Sequence, residues 1–214
     1  MQCGADEGLD VILDGRVKII QKREGYRFTE DALRLCEFVR AMPQARGIDL
    51  GTGCGIIGVV LVREGKVGQM LGLELQENLA GLAKRSVALN GLEDRVVVKV
   101  GDIRRVKELF APGSFHLVVS NPPYRELGRG RLSPSAEKRV AKHEWACSLE
   151  DVIKAAGYLL APAGIFAFCH LRERWGDIQR LLEREHLKVQ RKEEILGPVG
   201  RPKGLILVEA VLEE

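Results

Sequence analysis

The sequence predicts an α/β protein, a doubly wound sheet of seven strands preceded by a short hairpin and a helix. Apolar, strand-like runs alternate with helical patterns along most of the 214 residues, as they do in chains of βαβ units. One apolar run reaches Asp49, glycines follow at positions 51, 53 and 55, and a second apolar run from Ile56 to Val62 predicts a buried helix. A glycine-rich turn between a strand and a helix is typical of nucleotide-binding sheets.

Length and composition set the broad class. A chain of 214 residues fits a single domain, in which we expect residues 1–45 to form the hairpin and helix and residues 46–214 the sheet core. Hydrophobic residues make up 45% and charged residues 29%, as in globular proteins. The net charge of +3 is too small to indicate a nucleic-acid partner by itself.

The sequence also predicts where the protein resides. It contains no run of 18 apolar residues, and its first residues lack the pattern of a signal peptide, so we expect neither a membrane span nor secretion. The five cysteines are scattered and form no C-x-x-C pair. This usage favours a reduced, cytoplasmic protein without a zinc site or a disulfide framework.

The segment before the glycine turn predicts the hairpin and the helix. Two short apolar runs flank Asp14-Gly15, a dipeptide typical of a type I′ hairpin turn. Thr29 is the expected N-cap of the following helix. Tyr26 and Phe28 lie in the loop before that helix. They either form an edge of a cofactor pocket or pack into the core.

The glycine turn does not have the dinucleotide spacing. A G-x-G-x-x-G fingerprint that starts at Gly51 would need glycine at position 56, which is Ile56. The pattern is D-x-G-x-G-x-G, and it predicts a cofactor site that includes the residues Asp49, Gly51, Thr52, Gly53 and Gly55. The alternative is a glycine-rich turn of some other α/β protein.

Acidic residues end the next two predicted strands. Glu74 follows Gly51 by 23 residues, close to the spacing of about 20 at which an acid accepts hydrogen bonds from ribose hydroxyls. The alternative is an ordinary surface glutamate. Asp102 follows the third strand and could bind the amine of a cofactor adenine, or it could only form a turn.

The fourth strand of the sheet runs directly into Asn121-Pro-Pro-Tyr124. Proline fixes its own φ and forces the residue before it into an extended conformation. The segment is therefore a rigid stub, in which the Asn121 side chain and the Pro122 carbonyl can both accept hydrogen bonds. Two such acceptors suit a planar amino group, and the Tyr124 ring offers a face on which a base could stack. A rigid turn without chemistry is the alternative.

The C-terminal third predicts two more helices and three strands. Ser148-Leu-Glu-Asp151 is a capping box that opens a helix to about Leu160. Ala161-Pro-Ala-Gly164 predicts a turn into a strand from Ile165 to Phe168, and residues 171–186 predict an amphipathic helix. Residues 188–195 and 205–212 predict a final antiparallel hairpin.

These motifs resemble a known group of proteins. The glycine turn is similar to motif I of the class I S-adenosylmethionine-dependent methyltransferases, and Asn121-Pro-Pro-Tyr124 is similar to motif IV of the methyltransferases that act on adenine N6 or on glutamine side chains. More narrowly, the chain resembles the bacterial valine-tRNA adenine-N6 methyltransferase family. The matching segments are Leu-Asp-Gly-Arg in the hairpin, Gly-Tyr-Arg-Phe-Thr-Glu-Asp-Ala-Leu, the two motifs, Ala141-Lys-His-Glu144 and Gly200-Arg-Pro-Lys203. One departure is Lys142, where arginine is expected.

The resemblance implies a Rossmann-like strand order of 3-2-1-4-5-7-6 with strand 7 antiparallel. It implies S-adenosyl-L-methionine as the cofactor and no metal. Asn121, Pro122, Pro123 and Tyr124 would then be the catalytic residues, and Asn121 would also border the cofactor.

A basic loop follows the stub. It carries six positive residues, which we expect, together with His143, to bind the substrate: Arg125, Arg129, Arg131, Lys138, Arg139 and Lys142. Long loops beside active sites are often substrate loops, although a solvated charged loop is the alternative. Further cations are expected to complete a basic rim at the pocket mouth: Arg104, Arg105, Lys107, Arg201 and Lys203.

The expected function is transfer of a methyl group to the N6 amine of an adenine in RNA, with tRNA as the expected partner and no membrane. A protein glutamine N5 methyltransferase, a DNA adenine methyltransferase and a non-catalytic RNA-binding or cofactor-sensing module are the alternatives. Fewer than 50 residues precede motif I, which disfavours the glutamine enzymes with their helical N-terminal domain. The sequence leaves the oligomeric state open.

Overall fold

A computed structural model describes residues 3–25, 27–122, 124, 147–197 and 202–213. The strands within this part of the chain are β1 (Glu7–Ile12), β2 (Val17–Lys22), β3 (Met42–Leu50), β4 (Val67–Glu74), β5 (Val96–Val100), β6 (Phe115–Ser120), β7 (Leu160–Leu171), β8 (Leu187–Leu196) and β9 (Pro202–Leu212). The helices are α1 (Glu30–Phe38), α2 (Ile56–Arg63), α3 (Glu77–Leu89), α4 (Val106–Leu109), α5 (Leu149–Leu159) and α6 (Trp175–Arg184). Short 3₁₀ turns cover Ile103–Arg105 and Arg172–Arg174.

Seven strands form one sheet in the order β5-β4-β3-β6-β7-β9-β8. Counted from β3, this order is 3-2-1-4-5-7-6, so the expected topology is confirmed. The strands from β5 to β7 are parallel, and β9 runs antiparallel to both of its neighbours. The chain order reverses between β3 and β6, which is where a doubly wound sheet opens a crevice at the carboxyl ends of its strands.

Both faces of the sheet are covered. Leu117 and Val119 of β6 belong to an apolar cluster shared with α1, α2 and α3. Val118 belongs to the cluster on the opposite face, which includes α5 and α6. Parallel strands that are buried on both faces are apolar without a break, which is why β6 reads as a continuous apolar run. No helix in the described ranges is long and apolar enough to cross a membrane.

The predicted N-terminal hairpin is present as a separate two-stranded sheet. The last cross-strand pair is Ile12 with Val17, so four residues connect the strands instead of the two of a type I′ turn. Leu13 adopts a positive φ in addition to Asp14 and Gly15. The additional left-handed residue widens the connection, a detail that the Asp-Gly signal alone does not give.

The hairpin is held against α3 by side chains near the end of that helix. The Lys18 N–H donates to Asn90 Oδ1 at 3.0 Å, and Asn90 Nδ2 donates to the Lys18 carbonyl at 2.6 Å. The Ile20 N–H donates to Ser86 Oγ at 3.0 Å. The Asn90 side chain therefore pairs with the backbone of β2 as a second backbone would.

Two predicted boundaries differ from the structure. The expected turn at residues 161–164 lies inside one long strand, β7, as an irregularity in which the pairing with β6 jumps from Leu160 to Ile165. Ala163 takes up the irregularity with a φ of 58°. The helix expected over residues 171–186 becomes α-helical only at Trp175, because β7 continues to Leu171 and the Arg172–Arg174 turn follows it.

Lys66 closes the end of α1. Its ammonium group donates to the carbonyls of Cys36, Glu37 and Val39 at distances of 2.6 to 2.8 Å. The last carbonyls of a helix have no partner within the helix. Lys66 therefore satisfies acceptors that the fold would otherwise leave without a donor.

We expect Lys66→Met to lower the free energy of unfolding by about 1–3 kcal/mol, because it removes the donor to three carbonyls, in two part-buried bonds and one exposed bond, while keeping an unbranched chain. Urea denaturation followed by circular dichroism measures the change. Lys84→Met is the control, since Lys84 is exposed on α3. Equal effects of the two substitutions would show that Lys66 is an ordinary surface lysine.

Candidate functional site

The residues singled out in the sequence meet at one edge of the sheet. Asp49 lies near the end of β3, where its neighbours across the strands are Gly72 of β4 and Val119 of β6. Glu74 is the last residue of β4, and Asn121 directly follows β6. The carboxyl ends of adjacent parallel strands therefore bring together three polar side chains that are far apart in sequence.

The glycine turn adopts the left-handed conformation that its sequence predicts. Gly51, Gly53 and Gly55 have φ values of 78°, 58° and 85°, which other residues rarely adopt. The N–H groups of Gly51 and Thr52 both donate to the Leu73 carbonyl, at 2.9 and 3.1 Å. The turn is thus fixed to the adjacent strand β4.

The glycines of the turn have different reasons to lack a side chain. A Cβ atom on Gly55 would lie 3.1 Å from the Cβ of Ala83, so glycine lets the start of α2 pack closely on α3. A Cβ atom on Gly51 would meet only Ile103 Cδ1, at 4.0 Å. Gly51 therefore leaves open space at the strand end, where a ligand could approach the backbone.

Asp49 is fully buried at the base of this turn. Its Oδ2 accepts a hydrogen bond from Thr52 Oγ1 at 2.7 Å, whereas its Oδ1 has no hydrogen-bond partner in the described part of the chain. Burial raises the pKa of Asp49 to about 7; the Thr52 hydroxyl opposes this shift, and the charge of Glu74 adds to it. A buried carboxylate oxygen without a donor is available to a ligand.

Glu74 binds the turn itself. Its Oε2 accepts from the Gly53 N–H at 2.9 Å, and its Oε1 accepts from the Gln76 N–H at 3.0 Å. Only 6% of the residue is exposed, and burial raises the pKa of its carboxyl group. Glu74 is thus no ordinary surface glutamate. The bond to Gly53 was not expected from the sequence, and the predicted contact with ribose hydroxyls stays a prediction.

Asp102 caps the 3₁₀ turn that follows β5. Its carboxylate accepts from the Arg104 N–H at 2.9 Å and pairs with the Arg104 guanidinium, whose hydrogen bonds lower the pKa of Asp102. The turn-forming interpretation therefore describes this residue, and a bond to a cofactor adenine stays a prediction. Arg105 and Lys203 pair with Glu108 and Glu30. These three cations of the expected basic rim are ion-paired, whereas the Lys107 ammonium lies over the ring of Tyr158, 5.5 Å from its centroid.

The stub after β6 is anchored at its base. Ser120 Oγ donates to the Leu50 carbonyl at 2.8 Å, which joins the end of β6 to that of β3. The Tyr124 hydroxyl donates to Asn121 Oδ1, and the Tyr124 ring meets the ring of His170 at 5.6 Å between centroids and an angle of 77°. Pro122 is buried. No pattern in the sequence predicts the contact with His170.

Phe28 is half-buried and packs against the core cluster that contains α1 and α2. Its N–H donates to Gln21 Oε1 at 3.1 Å, and the buried Gln21 amide in turn donates to Asp10 of β1. Thr29 occupies the predicted N-cap position, but its hydroxyl donates to Asp31 at 2.8 Å and does not accept from the helix backbone. Gln21 thus links the hairpin to the loop that carries Phe28.

Several predicted site residues lie outside the described residues: Tyr26, Pro123, Arg125, Arg129, Arg131, Lys138, Arg139, Lys142 and His143. Arg201 of the expected rim is among them too. Their proposed roles therefore stay predictions. Within the described ranges, no group of three or more histidine, cysteine, aspartate or glutamate residues could hold a metal ion.

Comparison with known sequences points to methyltransferases. The sequence model of the methyltransferase small domain matches residues 32–169. A Porphyromonas gingivalis protein named tRNA1(Val) (adenine(37)-N6)-methyltransferase is 30% identical over 74% of this chain and 63% of the relative. A Bacteroides thetaiotaomicron protein of the same name is 27% identical over 76% of this chain and 67% of the relative. The chain thus spans somewhat less than two thirds of the P. gingivalis protein.

Solved structures share the fold. A predicted O-methyltransferase from Agrobacterium tumefaciens superimposes with a TM-score of 0.66 at 23% identity, covering 86% of this chain and 81% of that one. The M. jannaschii tRNA m1G37 methyltransferase gives a TM-score of 0.69 at 13% identity, covering 98% of this chain and 57% of that one. At these identities the likeness shows the architecture alone.

The raised pKa of Asp49 predicts a pH-dependent stability. The unfolded chain releases this proton near its ordinary value of 3.8, and the folded chain holds it to about 7, so the parent loses stability as the pH rises between these values. Asp49→Asn removes this loss. We expect its stability relative to the parent to rise by roughly 2 to 3 kcal/mol from pH 5 to pH 8.

Urea denaturation at both pH values measures this difference. Asp14→Asn, in the exposed hairpin turn, is the control for the loss of a carboxylate. A constant difference between Asp49→Asn and the parent across this range would contradict a raised pKa.

Proposed function

Because the chain belongs to the methyltransferase small domain family, we propose that it transfers a methyl group from S-adenosylmethionine to the N6 amine of an adenine in tRNA. The observation that carries the proposal is the position of Asn121, at the end of β6 and joined to β3 through Ser120. Asn121 therefore follows a strand end that is joined to the strand end before the glycine turn. The names of the curated relatives support adenine N6 in tRNA as the target.

The residues at the glycine turn fit S-adenosylmethionine, the cofactor that the family generally implies. Its methionine ammonium and ribose hydroxyls are hydrogen-bond donors, and the turn offers the buried, unpartnered Asp49 Oδ1 and the Glu74 carboxylate as acceptors. Gly51 leaves room for close approach. When bound, the sulfonium supplies an activated methyl group. Asp102 would contact the adenine end, and Phe28 and Tyr26 would border the pocket.

Asn121 and Pro122 would bind the target amine. The lone pair of adenine N6 is delocalised into the ring, so the neutral amine is a poor nucleophile. Hydrogen bonds accepted by Asn121 Oδ1 and the Pro122 carbonyl draw the amine toward a tetrahedral geometry and stabilise the positive charge that develops on it. In-line positioning beside the activated methyl group supplies much of the remaining rate enhancement.

Tyr124 would prepare Asn121 for this role. An amide oxygen has two lone pairs, and the Tyr124 hydroxyl uses one of them. The bond fixes the orientation of the amide and leaves the second lone pair for the target amine. The ring face of Tyr124 would receive the base once it is flipped out of its stack. From the sequence, Pro123 would keep this short segment rigid.

The basic loop would hold the RNA. Arg125, Arg129, Arg131, Lys138, Arg139 and Lys142 follow the stub in sequence, and cations in such a position bind phosphates without reading the base sequence. His143 would hydrogen-bond the substrate. Their contribution is argued from the sequence alone, since three of the described rim cations, Arg104, Arg105 and Lys203, are already paired with acids.

We expect S-adenosylhomocysteine to raise the melting temperature and NAD to leave it unchanged, because a ligand that binds only the folded state stabilises it. Glu74→Gln should weaken S-adenosylhomocysteine binding by roughly 1–3 kcal/mol, since one donor loses its charged acceptor. Calorimetric titration measures this, with Glu77→Gln on the exposed start of α3 as the control. Equal stabilisation by NAD would contradict the assigned cofactor.

We expect Asn121→Ala to lower turnover by about a hundredfold or more, as when one preorganised transition-state hydrogen bond is removed, with S-adenosylhomocysteine affinity nearly unchanged. The assay uses labelled S-adenosylmethionine with separate pools of tRNA, DNA and a protein that carries a glutamine substrate, followed by nucleoside analysis. N6-methyladenine in tRNA supports the proposal. Labelling of only the DNA or the protein would assign the enzyme to that substrate. A loss smaller than tenfold would make Asn121 structural.

A further inference from the structure

His170 is a buried polar residue that the proposed chemistry does not use. It lies one residue before the end of β7 and is fully buried, and neither ring nitrogen has a hydrogen-bond partner among the described residues. Burial, and after it the charge of Arg174, lowers the pKa of His170 to about 4, so the ring is neutral near neutral pH.

The contacts among the described residues do not account for this histidine through stability. A neutral imidazole carries one N–H donor and one nitrogen acceptor. Burying both without partners costs free energy that an apolar side chain of similar size would not cost. Two residues earlier on the same face of β7, Phe168 fills its place in the core by stacking on Phe166, with ring centroids 4.6 Å apart. We therefore look for a role of the imidazole at position 170 in its contacts with the candidate site.

Among the described residues, Tyr124 is the residue of the candidate site that the His170 ring contacts. The two rings meet edge to face, at 5.6 Å between centroids and an angle of 77°. Aromatic rings favour this geometry because the positive edge of one ring faces the negative face of the other. A neutral imidazole, with its polar edge, suits this contact.

Tyr124 packs against the core cluster shared with α1 and α2, and two further contacts act on its ring and its hydroxyl. His170 contacts its ring, and its hydroxyl donates to Asn121 Oδ1. Tyr124 lies beyond the last residue of β6 and is only half-buried. Because strand pairing does not fix this residue, side-chain contacts must set the orientation of its ring.

We propose that His170 is a positioning residue, which holds the Tyr124 ring so that its face is presented to the target base and its hydroxyl stays on Asn121. The role in turnover rests on the proposed function, whereas the restraint on the ring does not. Loss of the restraint would misplace both the stacked base and the amide that binds its amine.

Two substitutions separate the ring contact from simple filling of space. His170→Leu fills the space with an apolar side chain but removes the ring, and His170→Phe keeps an aromatic edge. Phe168→Leu is the matched control, because Phe168 lies on the same strand and face as His170. Its buried ring contacts Phe166 and not Tyr124 among the ring contacts described. All three variants are compared with the parent for melting temperature, S-adenosylhomocysteine affinity and turnover on tRNA.

We expect His170→Leu to lower turnover by on the order of tenfold to a hundredfold, the loss typical of a small misplacement of reacting groups. Its melting temperature and S-adenosylhomocysteine affinity should not fall. His170→Phe should regain most of the turnover. The control Phe168→Leu should show the reverse pattern, a lower melting temperature with turnover per folded molecule unchanged.

The orientation of Tyr124 is also measured without RNA. The chain has three tyrosines, so ¹³C-tyrosine labelling gives few ring signals, and Tyr124→Phe identifies those of Tyr124. A held ring gives distinct or exchange-broadened signals for its two sides, and a freely flipping ring gives averaged ones. We expect averaging in His170→Leu and parental signals in His170→Phe.

Parental Tyr124 signals in His170→Leu would overturn the proposal, and so would altered signals with parental turnover. Equal loss of turnover in the Leu and Phe variants would also overturn it, because the aromatic edge would then not matter. If the parent methylates no RNA, the proposed function fails, and the tyrosine signals still decide whether His170 holds Tyr124.

Discussion

One carboxylate joins the ends of two parallel strands at the candidate site. Glu74, the last residue of β4, accepts the N–H of Gly53 in the turn that follows β3. The carbonyl of Leu73, directly before it, accepts two further N–H groups of the same turn. The conformation of the glycine turn is therefore set by the neighbouring strand. The hydrogen bond between Thr52 and Asp49 lies within this turn, and α2 begins directly after it.

Some of the buried polar atoms without hydrogen-bond partners in the described chain lie at the same edge of the sheet. Asp49 Oδ1 and both nitrogens of His170 are buried without hydrogen bonds from the described chain, whereas the two faces of the sheet are covered by continuous apolar clusters. Apolar burial on the two faces stabilises the fold, and the unpartnered polar atoms at the edge lower that stability. Such local departures from a well-satisfied core are expected at functional sites.

Local patterns predicted much of this molecule. The alternation of strands and helices, the glycine turn and the capping box at Ser148 depend on neighbouring residues, and all three are present. The order of the seven strands came from the resemblance to methyltransferases. Contacts across the chain could not be predicted: Lys66 on the end of α1, Gln21 on Phe28 and His170 on Tyr124 join residues whose separation in sequence carries no periodic signal. The turn expected at residues 161–164 lies within β7 as an irregularity, because pairing with β6 resumes at Ile165 and pairing with β9 begins there.

The attachment of the hairpin to α3 constrains the order of folding during synthesis. β1 and β2 leave the ribosome before α3, but a lone two-stranded hairpin is marginally stable in water. The side chains that bind its backbone come later in the chain: Ser86 follows Ile20 by 66 residues, and Asn90 follows Lys18 by 72. The nascent hairpin must therefore wait, with its exposed strand edges available to other chains, until α3 has emerged and the hairpin can dock.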